Sequence, residues 1–147
     1  MRLWHKDLIP VLPRLQLLGQ WRECCLIAKN IAEKGTPNHV LVNRVMEYSE
    51  IEYIRYCELI YSEMLKRGYK VDLQKFYSCF EDSKKAELQF IGSICWSDWN
   101  SRFPLFPNWH NDRYLKQCLF NLQEKADACA IPDDEWKRIV ERYPWIE

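Results

Sequence analysis

Pro13-Arg14-Leu15-Gln16-Leu17-Leu18-Gly19-Gln20-Trp21-Arg22-Glu23-Cys24-Cys25-Leu26-Ile27-Ala28-Lys29-Asn30-Ile31-Ala32-Glu33-Lys34-Gly35 is the stretch that decides the fold. Proline suits the first position of a helix, where its missing N–H has no partner to lose. Leu18, Trp21, Cys25, Ala28 and Ala32 then recur at helical spacing. Gly35 and Pro37 supply the stop. The stretch predicts one amphipathic helix of about twenty residues.

The same period continues outward along the chain. A second helical region starts after Thr36 or Asn38 and includes Val40 to Met46. A third runs from about Ser49 to Arg67, with Ile54, Cys57, Tyr61, Met64 and Leu65 as its apolar stripe. Lys66-Arg67-Gly68 ends it with cations in the last turn and a glycine beyond. Residues 72–97 read as one or two shorter helices, with a break near Glu81–Ser83. Residues 98–109 carry Pro104 and Pro107 and exclude a regular helix. A long helix follows, with Leu115, Cys118, Leu119, Leu122, Ala126 and Cys129 on one side. The last helix opens at Pro132-Asp133-Asp134-Glu135 and is expected to bury Trp136, Ile139, Val140 and Tyr143. No period-2 alternation interrupts this pattern, so the expected fold is all-α, one domain over residues 1–147 packed around one core.

Composition agrees with a self-sufficient domain. A chain of 147 residues, 48% hydrophobic and with seven Trp, can bury about 68–70% of its unfolded surface. No apolar run reaches the roughly 18 residues of a membrane span. The opening Met1-Arg2-Leu3-Trp4-His5-Lys6-Asp7 lacks the apolar stretch of a signal peptide. Cys24 and Cys25 are adjacent, and the other five cysteines (57, 79, 95, 118 and 129) are scattered. That usage points to reduced, partly buried thiols in a cytosolic protein. His5, His39 and His110 do not supply the close Cys/His pairs of a zinc site, so no metal or cofactor is expected. The formal net charge of zero argues against a strong non-specific nucleic-acid binder. The first thirty residues are less even: Arg2, Lys6, Arg14, Arg22 and Lys29 outnumber Asp7 and Glu23 by three. A basic end of that size is compatible with DNA contact and equally with an ordinary solvated surface.

The first helix also carries a polar face. Gln16, Gly19, Gln20 and Glu23 lie at i, i+3, i+4 and i+7, with Arg22 one step around. A glutamate flanked by Arg and Gln suits a site that handles a polar ligand. Gly19 would let another backbone come close, at about 1 kcal/mol of helix propensity. A solvated helix face has the same spacing.

Gln16-Leu17-Leu18-Gly19-Gln20-Trp21-Arg22-Glu23 resembles the first helix of the phage-type pyrimidine-dimer DNA glycosylases, which carries Leu-Met-Ala-Glu-Tyr-Arg-Glu at this distance from the start. The likeness continues loosely at Asn38-His39-Val40. It returns at Glu63-Met64-Leu65-Lys66-Arg67-Gly68-Tyr69, close to that family's Glu-Cys-Leu-Lys-Arg-Gly-Phe. The order is kept over roughly the first half of the chain. The Lys-Arg-Gly segment is structural and speaks for kinship more than activity.

The resemblance implies a glycosylase with abasic-site lyase activity. The free α-amine attacks C1′ of a damaged nucleotide in double-stranded DNA, the base leaves, and β-elimination through a Schiff base cuts the strand. It places the essential glutamate at Glu23 and a DNA-contacting arginine at Arg22. An α-amine ordinarily titrates near pH 7.7–8.0, which leaves a useful neutral fraction at physiological pH. The carboxylate can stabilise positive charge on the sugar and relay protons, and Arg can grip phosphate bidentately. The departures are specific. The family's amine belongs to a threonine uncovered by methionine removal, whereas Arg2 ordinarily blocks that removal, so the amine would belong to Met1 or the N-terminal chemistry differs. Gln16 stands where the family has His, and Leu26 where it has Arg. Arg2, Gln16 and His39 are the further expected DNA contacts. The expected protein is a cytoplasmic monomer. His5, the aromatic segment Trp99 to His110 and Glu63 are read as structural or solvated. Two rivals remain: a non-catalytic nucleic-acid or protein-interaction domain that kept the fold, and a metal-dependent hydrolase.

Overall fold

In the computed structural model, which describes residues 1–80 and 104–147, every regular element is a helix. A 3-10 helix, Lys6–Val11, leads into α1, Arg14–Lys34. A second 3-10 helix, Asn43–Glu47, precedes α2, Glu50–Lys66, and the short α3, Leu73–Tyr77. The later part holds α4, Asp112–Asp127, α5, Asp133–Arg142, and a closing 3-10 turn, Pro144–Ile146. The fold is all-α, and the buried apolar residues form one continuous cluster.

Pro13 stands at the N-cap of α1 instead of its first turn, and its carbonyl accepts from Leu17 N at 3.0 Å. Glu135 of α5 caps the same end by accepting from Arg14 N at 2.6 Å, a negative charge where the helix dipole favours one. At the other end Gly35 takes φ 73°, a left-handed conformation that costs glycine nothing. The face that α1 buries is rotated from the predicted stripe. Leu17, Gln20, Trp21, Cys24, Ile27 and Ala28 point inward, Leu18 and Cys25 are half-buried, and Ala32 is exposed. The true register runs through a glutamine, which an apolar count passes over.

α2 packs along α1. The Ser49 hydroxyl caps it by accepting from Glu52 N at 3.2 Å, and Tyr53 donates its hydroxyl to the Cys24 carbonyl of α1. The helix buries Tyr53, Ile54, Tyr56, Cys57, Ile60 and Met64. Leu65, expected in the stripe, is exposed, because its neighbour Met64 already faces the core. Gly68, at φ 86°, closes the C-terminus as its signature predicts. Arg67 then folds back on the Lys6–Val11 helix, donating to the carbonyls of Leu12 at 2.8 Å and Pro10 at 3.2 Å. Its guanidinium is held by Glu63 at 2.9 Å, with only 13% of the Glu63 side chain exposed. Glu63 is therefore not the solvated acid expected. A half-buried arginine turned onto carbonyls is steadied by a counter-charge.

The other differences are local. Residues 40–46 form a turn and a 3-10 helix where an α-helical run is predicted. Asn38 at φ 58° breaks the chain direction, and the His39 carbonyl accepts from both Val42 N and Asn43 N. α4 buries Cys118, Leu119 and Leu122, but Cys129 lies past its end, exposed, at φ 58°. α5 buries only Ile139 fully and leaves Trp136, Val140 and Tyr143 half-covered. The predicted break near Glu81–Ser83, the helical reading beyond residue 80 and Trp99 lie outside the described residues. Phe106 and Trp109 of the aromatic segment are core, as the structural reading held.

Gly19 does not serve close approach among the described residues: a Cβ there would meet none of them within 4 Å. Gly19→Ala should thus stabilise the fold by up to about 1 kcal/mol, seen as a rise in Tm of roughly 2–4 °C. A fall in Tm would show that the surface above α1 is not open.

Candidate active site

Residues 1–5 precede the first helical turn, so their backbone groups have no ladder to join, yet Leu3, Trp4 and His5 are buried. Buried peptide groups must find partners elsewhere. Here side chains from three helices provide them. Gln20 of α1, 1% exposed, accepts from Trp4 N through Oε1 at 2.7 Å. Through Nε2 it donates to the Arg2 carbonyl at 2.9 Å. Tyr56 of α2 places its hydroxyl 2.6 Å from the Trp4 carbonyl and 3.0 Å from Gln20 Oε1. Tyr114 of α4 donates to the Leu3 carbonyl at 2.6 Å.

Glu23 stands one helical turn beyond Gln20. Its Oε2 lies 3.4 Å from Arg2 N and 3.4 Å from Gln20 Nε2. The carboxylate thus sits one residue from the α-amine of Met1, a half-buried residue packed against the core. The Arg2 guanidinium turns the other way, lying 5.3 Å from the Trp4 ring centroid and donating to Cys118 Sγ at 3.7 Å. Burial raises the Cys118 thiol above its ordinary pKa and lifts Cys25 to about 11, so these two thiols stay protonated at neutral pH. The six cysteines among the described residues are all free.

A second anchor holds the segment at residue 6. Lys6 N donates to His110 Nδ1 at 3.0 Å, and His5 Nδ1 accepts from Asp7 N at 3.1 Å. The two imidazoles stack at 5.1 Å. Both must be neutral to accept as they do. Burial is the chief cause that lowers each of them, strongly for His110, which the neighbouring His5 and Lys6 lower further. His110 is positioned by Phe106, a buried residue at φ 47°. Such a conformation persists only where surroundings enforce it. Here the Phe106 carbonyl accepts from Trp109 N at 2.9 Å and His110 N at 2.8 Å, while Glu52 accepts from Phe106 N at 3.2 Å.

Of the residues singled out in sequence, Arg2, Gln20 and Glu23 come together. Arg22 is exposed beside Glu23. Gln16 is half-buried, and its Oε1 has no hydrogen-bond partner among the described residues. His39 sits apart in the turn before Asn43, its Nδ1 accepting from Leu41 N at 3.3 Å; among the described residues none of its hydrogen bonds reaches Glu23. Tyr56, His110 and Tyr114 were not read as parts of the site. A signal for Gln20 existed: it falls on the inward row Leu17-Gln20-Cys24-Ile27. Among the described residues no group of three His, Cys, Asp or Glu could hold a metal ion, and no helix is long and apolar enough to cross a membrane.

A family model for pyrimidine dimer DNA glycosylase matches residues 1–77, which span the whole N-terminal segment, α1, α2 and α3. The chain belongs to that family. Membership supports a glycosylase-type role in DNA repair. No curated protein and no solved structure matches the chain. The matched region contains Gln20, Glu23 and Tyr56, whereas His110 and Tyr114 lie beyond it. The glycosylase family pattern thus covers one wall of the clamp, and the later helices complete it.

The neutral histidines set a pH dependence. An unfolded histidine takes up a proton below about pH 6.5, whereas His110 in the fold resists it. The unfolded state then binds more protons, and stability falls as the pH drops, by up to about 1.4 kcal/mol per unit for one such group. Urea midpoints should decline from pH 7 to pH 5 in the natural chain and less steeply in His110→Gln. Parallel profiles for the two chains would remove His110 as the cause.

Proposed function

We propose that this glycosylase excises a damaged or modified pyrimidine from double-stranded DNA and then cuts the strand as an abasic-site lyase. The α-amine of Met1 is the nucleophile. The observation that supports this is the Glu23 carboxylate 3.4 Å from Arg2 N, on a segment whose next residues are fixed by Gln20.

The amine lone pair forms the bond to C1′, and the glycosidic pair leaves with the base, which takes up a proton. The sugar ring then opens as the C1′–O4′ bond breaks, O4′ gains a proton and C1′ becomes an iminium. Loss of the C2′ proton expels the 3′-phosphate by β-elimination. In this scheme Glu23 stabilises the cationic sugar and relays the protons at O4′ and C2′. The target nucleotide must leave the stack for the amine to reach C1′, by bending or base flipping. Arg22, exposed beside Glu23, contacts phosphate, with Arg2, Gln16 and His39 as secondary contacts. The scheme calls for no metal or cofactor, and we read the enzyme as a cytoplasmic monomer.

Borohydride trapping on an abasic duplex tests the nucleophile. We expect an adduct mapped to Met1, lost when the N-terminus is acetylated. An adduct at a lysine overturns the assignment. No adduct with DNA binding kept favours a binding domain that retained the fold. Glu23→Gln should abolish strand cleavage with fold and DNA affinity kept; unchanged cleavage removes Glu23 from the chemistry. Arg22→Ala should weaken binding to all sequences alike and lower the salt slope by about one; an unchanged slope means that Arg22 touches no phosphate.

A further inference from the structure

We propose that Gln20 is the positioning residue of this site, the side chain that sets the distance between the attacking amine and Glu23. The inference rests on the amine mechanism above and assigns the part that neither Glu23 nor the amine can play alone. A glutamine amide has two donor hydrogens and two acceptor lone pairs, and here both donors and the carbonyl oxygen are engaged. Oε1 receives Trp4 N at 2.7 Å and lies 3.0 Å from the Tyr56 hydroxyl, whose single hydrogen it shares with the Trp4 carbonyl at 2.6 Å. Nε2 donates to the Arg2 carbonyl at 2.9 Å and points its other hydrogen at Glu23 Oε2 at 3.4 Å.

One buried amide thereby registers the chain that bears the amine, on both sides of Leu3, against the carboxylate one helical turn away. Both contacts with the segment are to backbone, so they fix the main chain and not a rotamer. Misplacing a reacting group by about 1 Å costs on the order of a hundredfold in rate, so the clamp acts on the chemical step. No close substitute does the same. Glutamate keeps the acceptors but loses both donors and brings a second negative charge beside Glu23. Methionine keeps the volume and loses all four contacts. Asparagine is one methylene short.

The test is the rate of borohydride adduct formation at saturating abasic duplex, beside the Kd for the same duplex. Gln20→Glu and Gln20→Met should each slow trapping ten- to a hundredfold while Kd stays within about threefold. Tyr56→Phe, which removes a hydroxyl shared by the Trp4 carbonyl and Gln20, should slow it three- to tenfold; this variant carries the test if either Gln20 variant fails to fold. A side chain that merely filled the core would lower Tm without splitting rate from affinity, and trapping at the natural rate in the folded variants overturns the proposal while leaving the amine mechanism standing. Absence of any adduct with the natural chain overturns that mechanism, and the role of Gln20 with it.

Discussion

A glutamine amide buried between α1 and α2 holds the first residues of the chain against the core, and the arrangement of the site depends on it. An unpaired buried amide or peptide group costs about 1–3 kcal/mol, whereas a satisfied one contributes about 0.5–1.5 kcal/mol net. The Gln20, Trp4, Arg2 and Tyr56 groups therefore stand or fall as a set. That all-or-none character is what lets an irregular segment behave as a fixed element. It also explains why a glutamine occupies the inward row of an otherwise apolar helix face.

The later helices finish what α1 and α2 begin. Tyr114 donates to the Leu3 carbonyl and His110 accepts from the Lys6 amide, so the later helices hold the segment at two further residues. The aromatic layer of Phe106, Trp109, His110 and Tyr114 fixes that donor and that acceptor in place. Its left-handed residue, Phe106, is stabilised by contacts reaching back to Glu52 of α2. The two parts of the described chain thus meet at the N-terminal segment. Arg67 adds a third tie by donating to the Pro10 and Leu12 carbonyls at the end of the Lys6–Val11 helix.

Electrostatics divide the surface from the site. Arg22 faces solvent, where a cation meets phosphate with little desolvation. Arg2 is drawn instead onto Trp4 and Cys118, so its side chain steadies the segment as well as adding charge. Lysine would serve poorly there, since a planar guanidinium can lie on a ring and donate from its edge at once.

Three long helices, their stops at Gly35 and Gly68, the single core and the kinship carried by Arg22, Glu23 and the Lys66-Arg67-Gly68 segment were legible in the chain, whereas the 3-10 run at Asn43–Glu47 was not. The legible features depend on local physics: periodicity, conformational freedom of glycine, and the spacing of residues on one helix. The sequence also indicated Glu23 together with Arg2, because the family pattern links a helix position to the chain start. Helix packing set which face of α1 is buried and brought Tyr56, His110 and Tyr114 to the N-terminal segment. Those partners are 52 to 111 residues from the groups they bind. Hydrogen bonds between a side chain and a distant peptide group depend on how helices pack, and no spacing along the chain encodes them.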